Sequence, residues 1–201
     1  MAHRSLLSRV VRRPKWRGLR GLRDNERGIS AVEFALIAPL LIMLYLGAIE
    51  LSLLMDVNRR VTQTAASLGD LTARLSTVTD DDMREMFAAA EIMMQPYDAN
   101  DAGMRITSIV DKGDGRAKVA WSDGHILPAY STGTIIDLPA GIMPSPGSII
   151  MTEVNYDYKS EIGYIISSDR NVSDKFYLRP RRVSEIARVS KHGDDVFGPT
   201  S

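Results

Sequence analysis

The sequence predicts an α+β protein: a long N-terminal transmembrane helix continuing as an amphipathic stalk, then a short helix and a small antiparallel β-sheet domain. Three observations carry that prediction. Residues 29–55 form a run without Lys or Arg, residues 56–94 place apolar side chains every three or four positions, and from residue 104 the period drops to two. A chain of 201 residues has room for one such helix and one small domain.

The apolar run begins at Ile29, closes at Met55 and contains two charges, Glu33 and Glu50. At 1.5 Å per residue it makes a helix about 40 Å long, enough to cross a hydrocarbon core of about 30 Å. Being apolar on every face, it is unsuited to the surface of a soluble domain. Pro39 removes one backbone hydrogen bond, which a membrane helix tolerates. Glu33 lies one turn inside the run. A carboxylate at the bilayer centre costs roughly 2.5–3.5 kcal/mol and less near the interface, so Glu33 either snorkels to the headgroups or has a functional partner.

Zero net charge conceals an asymmetry. Residues 1–28 carry nine Lys/Arg against Asp24 and Glu26, whereas residues 56–201 carry sixteen against twenty-one Asp/Glu. The positive-inside rule places the N-terminus in the cytoplasm and the large domain across the membrane, against the two flanking charges Arg59 and Arg60. The basic segment reads as a leader held by anionic headgroups. Nucleic acid is excluded as a partner, because no binding motif accompanies the charge and a membrane helix follows directly. A secretory signal cut after Leu46-Gly47-Ala48 is disfavoured, since Leu46 is not small and the apolar run continues to Met55. With no cysteine, disulfides and thiol chemistry are both absent.

Beyond Met55, Leu54, Val57, Val61, Ala65, Leu68, Leu71 or Thr72, and Leu75 continue a helical stripe opposite Asn58, Arg59, Gln63, Asp70 and Arg74. The stripe predicts a stalk running to about residue 77, packed on its own domain in preference to neighbouring subunits. Thr79 caps a second helix whose first turn holds Asp80, Asp81 and Asp82. Capping and the helix dipole explain these acids without a divalent cation. Met83, Met86, Phe87, Ala90, Ile92, Met93 and Met94 form its apolar side, and Pro96 ends it. Residues 104–110 and 116–121 then flank a turn of composition DKGDG, which reads as a hairpin. A long strand is expected over 149–158 and shorter ones over 164–167 and 175–178, with a Gly- and Pro-rich loop over 123–147. Arg179, Arg181, Arg182, Arg188 and Lys191 read as a solvated helix face in preference to a contact with an acidic subunit. Residues from Gly193 onward read as a frayed tail.

The entry to the apolar run, Arg27-Gly28 followed by Ile29-Ser30-Ala31-Val32-Glu33-Phe34-Ala35, resembles the processing site of type IV prepilins and pseudopilins. In that family a prepilin peptidase cuts after the glycine, and the fifth mature residue is glutamate. The resemblance therefore implies cleavage between Gly28 and Ile29, with Glu33 in the fifth place. The pair Glu33-Phe34 resembles the Glu-Tyr or Glu-Phe pair of tight-adherence (Tad) pilins, and the long part beyond the helix resembles TadE- and TadG-like pseudopilins. Looser likenesses lie in Val119-Ala120-Trp121-Ser122, in residues 153–158 and in residues 177–182. The family further implies that the Glu33 carboxylate meets an N-terminal amine, its own or a neighbour's, during assembly. An opposite charge within about 4–6 Å offsets the cost of a desolvated acid. The glycine lets the backbone lie extended in a protease cleft and leaves the helix free to start at Ile29.

These readings divide the chain into a basic cytoplasmic leader (1–28), a transmembrane helix (29–55), a stalk (56–78), a periplasmic α+β domain (79–193) and a tail (194–201). The implied partners are the lipid bilayer, the prepilin peptidase, other pilin or pseudopilin subunits and the pilus assembly machinery of a bacterial inner membrane. No catalytic motif is present, and His3, His125 and His192 lack metal-ligand spacing, so neither an enzyme nor a cofactor is expected. The competing expectation is an uncleaved single-pass protein whose periplasmic domain binds a ligand.

Overall fold

The computed structural model describes residues 26–160 and 170–189. The expected strand over 164–167, Lys191, the tail and most of the basic leader lie outside them. The chain divides into two compact units, residues 1–46 and 47–201. Its elements are helix α1 (Glu26–Ala73), strand β1 (Thr77–Val78), helix α2 (Asp80–Met94), a 3-10 turn (Ala99–Asp101), and strands β2 (Ala102–Asp111), β3 (Lys118–His125), β4 (Gly147–Tyr158), β5 (Arg170–Leu178) and β6 (Ala187–Arg188). The architecture is mixed α+β, as the change of period predicts.

In the first unit α1 leaves its side chains uncovered: Val32, Phe34, Leu36, Leu40, Leu44 and Tyr45 are all exposed. Pro39 sits inside the helix without ending it. The described helix, Glu26–Ala73, already includes Gly28, ahead of the Ile29 start that the sequence suggests. One glycine lowers helix propensity by about 1 kcal/mol, and nothing between Glu26 and Ile29 otherwise opposes the helix.

In the second unit, residues 47–73 of α1 bury one stripe. Val57, Val61, Ala65 and Leu68 are in the core, with Thr64 and Thr72 buried beside them. Of the two alternatives at the stripe's end, Thr72 turns inward and Leu71 stays exposed. The helix stops at Ala73, short of residue 77, because Thr77 and Val78 leave it to form β1. Helix α2 packs Met83, Met86, Phe87, Ala90 and Met94 into the same core. Ile92 and Met93 point outward instead, since Ala90 and Met94 already occupy the inner face of the last turn.

Strands β2 to β5 form an antiparallel sheet in the order β3-β2-β4-β5. Its helix-facing side supplies Met104, Ile106, Ile150, Val154, Tyr156 and Tyr158 to the core. The other side carries Ile109, Ile149 and Met151, covered by Tyr130, Ile136, Leu138, Ile142 and Met143 of the loop after β3. Covering both faces makes β2 buried at every position. The β2–β3 turn is closed by Asp111 Oδ1, which accepts from Gly113 N at 2.8 Å and Gly115 N at 3.1 Å. Both glycines have positive φ, +96° and +71°, where other residues are strained.

Gly69 is the point of close approach between helix and sheet. A Cβ there would lie 2.8 Å from Leu178 Cδ1 and 3.2 Å from Thr152 Oγ1. One turn away, Thr152 Oγ1 donates to Ala65 O at 2.7 Å. Gly69→Val should therefore destabilise the domain by about 1–3 kcal/mol, read as a lowered urea midpoint of the detergent-solubilised full chain.

The start of α2 is a capping box. Asp82 N donates to Thr79 Oγ1 at 3.2 Å, and the Asp82 carboxylate accepts from Thr79 N at 2.8 Å. The Thr79 hydroxyl and then the Thr79 backbone hold the Asp82 carboxyl below its ordinary value. A depressed folded-state pKa gives stability that is complete above the unfolded value of about 3.9 and lost as pH falls through the folded one. Urea unfolding at stepped pH should show that part of the acid-side loss absent in Asp82→Asn, with lower stability at neutral pH.

Candidate functional site

The residues singled out by the sequence stand on the first turns of α1. Gly28, Ile29, Glu33 and Phe34 are all exposed, Phe34 at 70%. Gly28 has open space where a Cβ would be. Ile29 and Glu33 are four residues apart, so they lie on one helix face about 6 Å apart along the axis. Among the described residues no hydrogen bond or ion pair holds Glu33.

A polar cluster sits where the apolar run ends. Arg60 Nε donates to Asp56 Oδ2 at 3.0 Å, and the Tyr97 hydroxyl donates to the same oxygen at 3.0 Å. Arg60 also reaches the carbonyl of Gln95 at the end of α2 and lies 5.7 Å from the Tyr97 ring centroid. The Arg60 and then the Tyr97 hydrogen bond lower the Asp56 pKa. Burial and then Asp56 push the Tyr97 phenol up to about 12. The group is a staple between the stalk and the end of α2.

Two further charge clusters lie within the domain. Arg105 pairs with Glu153 at 2.6 Å, donates to Pro128 O and Tyr130 Oη, and stacks 3.6 Å from the Tyr130 ring centroid. Lys175 reaches the other Glu153 oxygen at 2.8 Å, which raises the lysine pKa. The alternating pattern of β2 gave no warning of this pair. It is buried because the loop after β3 folds over a sheet face that simple alternation assigns to solvent. The second cluster is Arg188, which pairs with Asp80 at 2.7 Å and Asp123 at 2.9 Å. Burial opposes its charge, but Asp123 and Asp80 outweigh that and raise its pKa.

The C-terminal basic cluster is thus not a solvated helix face. Residues 179–189 form turns and the short strand β6, which pairs in parallel with β1. Ile186 is fully buried, its carbonyl accepts from Trp121 Nε1 at 2.7 Å, and Arg181 meets Asp70 of α1. Parallel pairing of two-residue strands gives no readable period, so the sequence could not show it. The three adjacent aspartates likewise divide their duties: Asp82 caps, Asp80 meets Arg188 and Asp81 meets Arg84 at 2.9 Å. His125 lies 3.0 Å from Glu91 and stacks on Phe87. His3 and His192 fall outside the described residues.

Helix α1 is long and apolar enough to cross a membrane, and its apolar window is not buried in the protein. Among the described residues it is the one helix of that kind, and with the α+β unit on the same chain it suggests a membrane-anchored protein. A family model described as TadE-like protein matches residues 28–68, covering the apolar run and most of the stalk. Over that segment the chain is similar to TadE-like proteins, a family of the tight-adherence pilus system. No curated protein and no solved structure matches the chain.

Arg188→Gln removes a buried cation from two carboxylates, and truncating one side of such a pair typically costs about 3–5 kcal/mol. The variant should lower the urea midpoint of the domain by a corresponding amount.

Proposed function

We propose that this chain is a minor pilin- or pseudopilin-like structural and assembly subunit of a tight-adherence pilus and secretion system. It is inserted with its N-terminus in the cytoplasm, and a prepilin peptidase cuts it between Gly28 and Ile29. It acts by packing, not by catalysis. The single observation that carries this reading is register: the TadE-like match begins at Gly28, and Glu33 stands one turn past Ile29 on the same face. Cleavage would leave an ammonium group at Ile29. An acid at the fifth place supplies its counter-charge, from the same helix or a neighbour's, in a medium where neither ion is well solvated. The exposed apolar faces of α1 would pack against helices of other subunits in the bilayer.

One observation favours a second reading, the uncut anchored protein with a ligand-binding outer domain. Gly28 is already helical, so a peptidase must first unwind the opening turn.

The N-terminal residue and intact mass of protein extracted from membranes separate the readings. A chain starting at Ile29 is expected; an intact leader sinks the pilin reading. Glu33→Ala should insert at least as well as the parent, since it removes an intramembrane acid, but co-purify with much less of the other pilus subunits. Undiminished co-purification would show that Glu33 has no assembly role.

A further inference from the structure

A crevice of about 430 Å³ opens where α1 leaves its apolar run, bounded by Leu54, Met55 and Asn58 of α1 and by Arg170, Asn171 and Val172 of β5. Strand β5 is the last of the sheet. Asp174 meets Thr62 at 2.6 Å, and Phe176 and Leu178 approach Gly69, so these alternate residues face the helix. Arg170 and Val172 share that alternation and stand on the same side. Asn171 borders the crevice too, with its side-chain amide donating to the Asp157 carboxylate at 2.6 Å.

Arg170 is exposed and has no ion-pair partner among the described residues. On α1, Leu51, Met55 and Arg59 follow at intervals of four and make one exposed line, apolar for two turns and then cationic. Arg59 also lacks an ion-pair partner among the described residues. The nearby acids are turned elsewhere: Glu50 is buried, Asp56 holds Arg60 and Tyr97, and Asp174 accepts from Thr62. Arg170 thus borders the crevice itself, and Arg59 stands one turn past Met55 on the helix that forms its other wall.

We propose that this crevice binds the headgroup of an anionic phospholipid, its phosphate on Arg170 and Arg59 and an acyl chain along Met55 and Leu51. Guanidinium–phosphate pairing would serve free phosphate as well. The adjoining exposed Leu51 and Met55 select the lipid, because they gain only from an acyl chain. The depth agrees: a helix whose apolar run ends at Met55 brings the residues just beyond it to the headgroup layer. The proposal rests on membrane anchoring and is independent of cleavage at Gly28 and of pilus assembly.

The test is native mass spectrometry of the full chain, purified from membranes in mild detergent and exposed to equal amounts of phosphatidylglycerol and phosphatidylcholine. Preferential retention of phosphatidylglycerol is expected. Arg59→Gln with Arg170→Gln should lower it by roughly fivefold for each arginine lost, while Arg116→Gln in the β2–β3 turn leaves it unchanged. Equal retention of the two lipids, an equal loss in Arg116→Gln, or displacement by equimolar inorganic phosphate overturns the proposal. Recovery of the parent chain in the soluble fraction would instead overturn membrane anchoring itself, and the lipid site with it.

Discussion

The constraint on which the structure depends is that much of α1 has nowhere of its own to hide. Its apolar side chains from Ile29 to Met55 are mostly uncovered by the fold, and each large one left in water forfeits about 1.5–3 kcal/mol. Summed over the run, that exceeds the whole stability of an ordinary domain, so these residues must lie in lipid or against other apolar helices. The need for an apolar surrounding follows from that arithmetic before any resemblance is invoked.

The same helix obeys a different rule a few turns later. Past Met55 one face turns polar, and the other presents Val57, Val61, Ala65, Leu68 and finally Gly69 to the sheet. Small residues at Ala65 and Gly69 let the backbone come close enough for Thr152 to donate to a helix carbonyl. One element thus serves as anchor and as core wall. The wall is stapled at both ends, by Asp56, Arg60 and Tyr97 near the apolar run and by Asp70 and Arg181 near its C-terminus.

What the sequence disclosed was governed by range. Helix periods, the Thr79 cap, the DKGDG turn and the switch to period two are local signals, and the long helix, α2 and the β2–β3 hairpin follow them. The arginines mislead because their partners are remote: Arg105 meets Glu153 and Arg188 meets Asp80 across intervals no periodicity reaches. The entry to α1 shows another limit, since Gly28 is helical in the structure. A glycine read as a helix boundary is only a weak breaker, and nothing beside Gly28 reinforces it. Of the candidate site, the spacing of Gly28, Ile29 and Glu33 is a local feature, because it lies within two helical turns. Arg170 at the crevice was visible only as a charge, until the sheet order set β5 beside the stalk.

The strap over residues 181–189 bears on how the domain comes into being. It pairs with β1, fills the core with Ile186 and sets Arg188 between α2 and β3. These attachments join stretches more than a hundred positions apart in several cases, so loop-closure entropy delays them. A nascent chain halted before residue 181 has its helices and central strands but no lock on their open end. Completion waits for the ribosome, and until then the unfinished side is exposed to chaperones and proteases.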